Sequence, residues 1–322
     1  MEALALHPVG HTDRSKSLVS VVSVLSTRFE HRGNGQDLDE AITLGREALT
    51  SHPVGHLHRC ASLSNLACAL RSRSRYRSND LDLDEAILLY REALELRPVG
   101  HPDRPRSLHN LAIMLSARVE HRRNVQDLDE ALANTLSALS LLTIHDPRQF
   151  YIRRSLAGIY MLCYESRLLS TGEDIDSLNV AMGHYRACAD FVSGGLLSSR
   201  LRVSLPWVHY ANRYTHNTLL DAYTTSMQLL DAYMSATAAV LSRHHTMKSF
   251  PATLAVDAAS CVLQCGDVCR AVELLEQGRT LIWTQMARFR MPLDDLQECG
   301  DHAEAVVKKF RELSSLLNKP PT

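Results

Sequence analysis

The sequence has little that would indicate a membrane, secreted or nucleic-acid-binding protein. Its 322 residues carry a net charge of −1, so no global electrostatic field attracts polyanions or anionic lipid. Eight cysteines are too sparse for a small disulfide scaffold. Asn-x-Ser/Thr sequons, a signal-like N-terminus and long apolar runs are missing. We therefore predict a cytoplasmic chain with no membrane contact, and disfavour nucleic acid as a partner.

The motifs of common enzyme classes are also missing. No P-loop, H-E-x-x-H, G-x-S-x-G or caspase-type cysteine signature occurs. Cys261, Cys265 and Cys269 recur at steps of four, but a Gly-Asp pair interrupts them and zinc ribbons use a different spacing. We interpret these three as small buried apolar side chains. A Cys–His dyad that uses Cys163 or Cys188 stays open as an alternative. We expect no catalytic residue, cofactor or metal.

What the sequence does contain is a repeat of 45 residues. Two motifs keep this step: Leu-Asp-Glu-Ala, which begins at Leu38, Leu83 and Leu128, and Pro-Val-Gly-His, which begins at Pro8, Pro53 and Pro98. A fixed period of this size is typical of proteins in which each unit buries its apolar face against its neighbours. Apolar residues at steps of three and four predict two helices per unit. The predicted fold class is all-α, an α-solenoid of antiparallel helix pairs.

Charged residues recur where the two helices of each unit meet. The second helix is predicted to begin at an aspartate followed three residues later by a glutamate, the spacing of a capping box. These aspartates are Asp37, Asp82 and Asp127. Arginines near the end of each first helix form a second column, for example Arg73 and Arg77 around Tyr76. We interpret the facing columns as ion pairs between repeats, with a phosphate or RNA site as the alternative.

The second helix of each unit resembles the tetratricopeptide repeat family. The family pattern there is alanine, a large residue four positions later, alanine at seven and proline at twelve. Ala86, Tyr90, Ala93 and Pro98 reproduce it. The resemblance implies a right-handed superhelix of stacked helix pairs. The period of 45 exceeds the usual 34 residues, and we expect most of the excess in the first helix or in the turn between the helices.

The repeats divide the chain into three predicted regions. Regular repeats cover 1–145, degenerate copies cover 146–290, and 291–322 are predicted to form a C-terminal helix and tail that link to a missing domain. Residues 2–8 match the end of a second helix, so we expect the array to begin inside a longer one. The stretch 270–296 is similar to the segment before the caspase-like (CHAT) peptidase domain of fungal tetratricopeptide proteins. That resemblance implies a fragment of such a protein.

The resemblance also implies a ligand surface and a function. In the family, the first helices line a concave groove that binds peptides. The positions that correspond here are Lys16, Val19, Ser23, Ser64, Asn65, Cys68, Arg71, Arg106, His109, Asn110 and Ile113. Some members clamp a terminal carboxylate with two lysines, two asparagines and an arginine. Only Asn65 and Arg106 match that set, so we expect no such clamp.

The function implied is that of a non-enzymatic scaffold that binds a protein or peptide in this groove. The alternative is the sensor or regulatory arm of a caspase-like peptidase encoded downstream or on another chain. The sequence leaves the oligomeric state open.

Overall fold

The computed structural model consists of α-helices throughout its described part. It describes residues 14–56, 58–166, 174–192, 197–236 and 253–288, together with His7, His11, Lys308 and Lys309. These residues contain no strand, which confirms the all-α class. The helices are α1 (Arg14–Arg32), α2 (Gly35–Thr50), α3 (Arg59–Arg77), α4 (Asp80–Glu95), α5 (Arg104–Arg122), α6 (Val125–Ser140), α7 (Arg148–Ser166), α8 (Asp174–Ala189), α9 (Leu197–Arg213), α10 (Leu219–Ala236), α11 (Leu254–Gln264) and α12 (Val268–Arg288).

Each 45-residue unit folds as a helix pair. The first helices α1, α3 and α5 have 19 residues and the second helices α2, α4 and α6 have 16. Each second helix packs against its own first helix and against the first helix of the next unit. Two residues separate the helices of a pair, so the turn holds none of the extra length. The excess lies in the helices and in the connections between units.

The N-caps of the second helices are asparagines, so the predicted aspartate caps are wrong. The Oδ1 atom of Asn79 accepts a hydrogen bond of 3.1 Å from the backbone N–H of Leu81. Asn34 and Asn124 make the same bond in the units on either side. An extended asparagine whose side chain accepts from the second helical N–H satisfies a donor that the helix itself leaves unpaired. The aspartates consequently fall in the first turn, where they are buried: Asp37, Asp82 and Asp127.

Those buried aspartates face the arginine column. Arg118 forms two hydrogen bonds with Asp127, of 2.8 and 2.6 Å, and its third nitrogen donates to Asp84 of the preceding unit at 2.8 Å. Arg73 repeats the arrangement with Asp82 and with Asp39. The interpretation of the two columns as ion pairs between repeats is confirmed. The same arginine also joins the two helices of its own unit, which the sequence did not indicate.

Small residues set the distance between helices. Ala86 and Ala93 are fully buried, and Tyr90 between them is also 0% exposed. The first unit has Gly45 in place of the tyrosine, and there the Cδ1 atom of Leu66 would lie 3.2 Å from an added Cβ. Leu66 therefore occupies the space that a side chain at position 45 would need. Close packing of this kind explains why alanine and glycine recur at these positions.

The chain divides into two compact units, residues 1–222 and 223–322. In the second unit α11 and α12 pack as a pair. Cys265 and Cys269 are exposed at the turn between these helices, so their interpretation as buried side chains is wrong. The predicted division at 145 and 290 stays a prediction. The predicted C-terminal helix lies outside the described residues, apart from Lys308 and Lys309.

Replacing Gly278 by alanine is expected to destabilise the second unit. An added Cβ would overlap with the Cβ of Ala255 on α11, and the two helices are too close for either backbone to give way freely. Overpacking of this type costs about 1–3 kcal/mol. Hydrogen exchange of the α11 and α12 amides measures the effect.

The matched control is Gly158→Ala on α7, where no atom lies within 4 Å of the added Cβ. That variant should gain about 0.5–1 kcal/mol, since glycine is the poorer helix former. Unchanged exchange in α11 and α12 of the Gly278→Ala variant would contradict the expectation.

Candidate functional site

The first helices of neighbouring units pack directly against each other, α1 with α3 and α5 with α7. Polar side chains bridge them on one surface. The Nδ2 atom of Asn65 on α3 donates to the carbonyl of Val19 on α1 at 3.2 Å. The Nε2 atom of His109 on α5 lies 2.7 Å from the Oγ atom of Ser155 on α7. We call the surface that carries Asn65, Arg71, Arg106 and His109 the first-helix face.

The residues predicted to line the groove differ in their exposure. Lys16, Ser23 and Arg106 are exposed, whereas Ser64 is only 4% exposed. The carbonyl of Ser64 accepts a hydrogen bond from the Tyr90 hydroxyl at 3.3 Å, which places this residue beneath the surface. The others are half-buried: Val19, Asn65, Cys68, Arg71, His109, Asn110 and Ile113.

A thiol and a phenol meet under this face. The Sγ atom of Cys68 lies 3.1 Å from the Tyr90 hydroxyl. Burial, together with the neighbouring thiol, raises the pKa of Tyr90 well above its ordinary value. Tyr90 therefore stays protonated and acts as a structural donor. Nearby, the buried Nε atom of Arg71 has no hydrogen-bond partner among the described residues.

A cavity of about 270 Å³ opens between α5 and α7. Its polar lining consists of Arg106, His109, Arg148, Arg154 and Ser155. Its apolar lining consists of Ile113, Tyr151 and Ile152. No aspartate or glutamate lines it. Three of the predicted groove residues, Arg106, His109 and Ile113, thus share one site.

The charges around the cavity are unbalanced. Arg148 pairs with Asp146 at 2.7 Å and donates to the carbonyl of Pro102 at 2.9 Å, so local structure engages it. Arg106 and Arg154 have no ion-pair partner in the described part of the chain. Burial, with a smaller effect of Arg154, lowers the pKa of His109 to about 4. At neutral pH the cavity therefore presents two uncompensated guanidinium groups beside a neutral imidazole.

Five of the lining residues come from the fourth unit, which the groove assignment did not include. The 45-residue step could have identified three of them. Taken one unit further from Arg106, His109 and Asn110, the step gives Tyr151, Arg154 and Ser155, and each of these lines the cavity. The fourth repeat lacks both the Leu-Asp-Glu-Ala and the Pro-Val-Gly-His motif, so no motif of its own marks these positions.

The buried thiols are poor candidates for a nucleophile. Cys163 and Cys188 are at most 1% exposed. Burial raises the pKa of Cys163 to about 11 and that of Cys188 to about 12. An activated cysteine has a lowered pKa and an accessible sulfur. The environment of these two residues has the opposite effect.

Histidines cluster in the connection between the first two units. The His52 and His56 rings stack with centroids 4.3 Å apart, and the His58 ring lies 5.9 Å from His52. His52 is fully buried, and its Nδ1 atom lies 2.7 Å from the Ser62 hydroxyl. Among the described residues, no three His, Cys, Asp or Glu side chains are arranged to hold a metal ion. Within the same residues, no helix combines the length and apolarity needed to cross a membrane.

Comparison with known proteins identifies one of the repeats. Residues 59–103, which comprise α3, α4 and the following connection, match the tetratricopeptide repeat family. The tetratricopeptide resemblance is therefore confirmed in this unit. No curated protein matches the chain significantly.

The chain is similar to a solved structure, at 16% sequence identity and a TM-score of 0.37. That structure is described as the crystal structure of "Podosopora anserina putative kinesin light chain nearly identical TPR-like repeats". The match covers 86% of this chain and 99% of that one. The narrower resemblance, to arrays that precede a caspase-like peptidase domain, stays a prediction.

Proposed function

We propose that the protein is a non-enzymatic scaffold that binds a protein or peptide on its first-helix face. The observation that carries this proposal is the cavity between α5 and α7, where Arg106, His109 and Ile113 lie together. Helical repeats that bind peptides do so with rigid helices that present polar and apolar positions side by side. The half-buried Asn65 and the polar bridge from His109 to Ser155 hold neighbouring first helices in register.

The environment of Cys163 and Cys188, together with the lining of the cavity, favours binding over catalysis. Cys163 and Cys188 are buried and their pKa values are raised, and no carboxylate that could act as a base lines the cavity. A volume of about 270 Å³ falls just below the roughly 300–1,000 Å³ of sites for small molecules. It suits one or two side chains of a peptide.

An array of short random peptides, probed with the full chain, tests the proposal. The binding variant adds negative charge to the first-helix face: Asn65→Asp, Arg106→Asp and Asn110→Asp. The control variant introduces the same change in charge on exposed positions of the second helices: Thr43→Asp, Arg91→Asp and Ala133→Asp. Circular dichroism checks that both variants fold.

We expect the binding variant to lose at least about tenfold in affinity for the peptides that bind the parent chain. The control variant should retain it. Equal binding by both variants would remove the first-helix face from the function. A parent chain that binds no peptide in the array would count against the scaffold proposal as a whole.

A further inference from the structure

The arginines that line the cavity between α5 and α7 differ in their partners from the arginine column between the helices. The arginine column between the helices of each repeat has carboxylate partners, as Arg118 has Asp127 and Asp84. Arg106 and Arg154 line a cavity and have no such partner among the described residues. Two guanidinium groups that line one open cavity without an ion-pair partner are available to an anionic ligand.

We infer that this cavity binds a phosphoryl group on a serine or threonine of the peptide ligand. The inference rests on the proposed peptide-binding function and names the chemistry of the ligand. A phosphorylated side chain carries a charge of about −1.5 to −2 at neutral pH and three acceptor oxygens. Two guanidinium forks match that charge and geometry, whereas a single carboxylate would leave one of them uncompensated.

The hydroxyl groups of the cavity add donors of the right kind. When His109 carries its proton on Nε2, it donates to the Oγ atom of Ser155, 2.7 Å away. The hydroxyl proton of Ser155 is then available to a phosphoryl oxygen. Tyr151, which is 48% exposed, lines the same cavity and carries a second hydroxyl. Because His109 is neutral, it orients Ser155 without adding a third charge.

The apolar part of the lining indicates that the phosphoryl group belongs to a peptide. Ile113 and Ile152 form an apolar floor, and Ile152 is only 2% exposed. Aliphatic side chains beside the phosphorylated residue would contact this floor, whereas free inorganic phosphate would gain nothing from it. Arg148 also borders the cavity, but its charge is compensated by Asp146.

Three matched peptide libraries test the inference with the full chain. Their central residue is phosphoserine, serine or glutamate, and the flanking positions are degenerate. Binding is measured by fluorescence anisotropy, with inorganic phosphate as a competitor. The cavity variants are Arg106→Gln and Arg154→Gln. The control is Arg91→Gln on α4, which removes the same charge from an arginine paired with Glu130 on the second helices.

We expect the affinity of the phosphoserine library to exceed that of the serine library by about tenfold or more. Binding of the phosphoserine library should weaken at high salt. Each cavity variant should reduce this preference about tenfold, and Arg91→Gln should retain it. If inorganic phosphate displaced the labelled phosphoserine library at a lower concentration than unlabelled phosphoserine peptides do, that result would contradict the role of the apolar floor.

Other outcomes separate this inference from the proposed function. Equal binding of phosphoserine and glutamate peptides would overturn the phosphoryl class in favour of carboxylates, and the scaffold proposal would stand. In a second outcome, all three libraries bind equally to the parent chain and lose binding to the variant with Asn65→Asp, Arg106→Asp and Asn110→Asp. That result would overturn the inference and leave the scaffold proposal standing. Failure of every library and of the random array would overturn both.

Discussion

Replacing Arg118 by methionine is expected to lower the free energy of unfolding of the compact unit formed by residues 1–222 by about 3–5 kcal/mol. The substitution leaves the Asp127 carboxylate, which is 5% exposed, without a cation. Asp84 loses one partner but keeps Arg122 at 2.9 Å. The expected loss therefore comes mainly from the unpaired buried charge of Asp127. Urea denaturation followed by circular dichroism measures it.

Two further variants separate burial from the loss of an ion pair. Arg186→Met breaks an ion pair with Asp221 in which both side chains are about half exposed, and it should cost at most about 1 kcal/mol. The double variant Arg118→Met, Asp127→Ala removes the buried carboxylate as well. It should be more stable than Arg118→Met alone, since no charge is left unpaired. A double variant as unstable as the single one would contradict this explanation.

The sequence predicted the helix pairs because their evidence is local and repeated. Apolar steps of three and four predicted α1 to α6, and the alanine pattern indicated which faces pack. The N-caps were predicted wrongly because Asp82 with Glu85 has the spacing of a capping box. Asn79 lies three residues earlier and makes the actual cap. The partner of Asp82 is Arg73, and the sequence alone did not indicate which of its neighbouring charges it would contact.

The candidate site was predictable only in part, for a related reason. Arg106 and His109 were identified from the family pattern, whereas Arg154 and Ser155 lie in a unit whose motifs have degenerated. Which arginines lack a carboxylate partner depends on contacts between units. Arg73 and Arg106 both lie on first helices, yet Arg73 pairs with two aspartates and Arg106 with none of the described residues. The periodicity gives positions along the helix, and the pairing follows from packing.

Acidification is expected to destabilise the compact unit of residues 1–222 in two adjoining ranges of pH. Burial lowers the pKa of His109 to about 4, with a smaller effect of Arg154, and it also lowers the pKa of His184 to about 4. Burial, with His56, His58 and Arg59, lowers the pKa of His52. The unfolded chain, with histidine pKa values of about 6.5, binds these protons first. Stability is therefore complete above about pH 6.5 and decreases towards pH 4.

A second decrease should follow at lower pH. The hydrogen bond from Arg77 lowers the pKa of Asp39, which therefore contributes stability above the pKa of an unfolded aspartate, about 3.9. That contribution is lost as the pH falls below about 4. The histidine range and the carboxylate range thus adjoin near pH 4.

The variant His109→Asn isolates the contribution of His109. Each unit of pKa shift corresponds to about 1.4 kcal/mol, so a pKa lowered from 6.5 to about 4 makes His109 responsible for up to about 3.5 kcal/mol. The free energy of unfolding of the variant should therefore vary less between pH 7 and pH 4.5 than that of the parent chain. His145→Asn, at an exposed position between α6 and α7, should keep the parent's slope. Identical slopes in the parent and in His109→Asn would show that His109 is protonated equally in the folded and unfolded chain, and the neutral imidazole proposed to orient Ser155 would then lose its support.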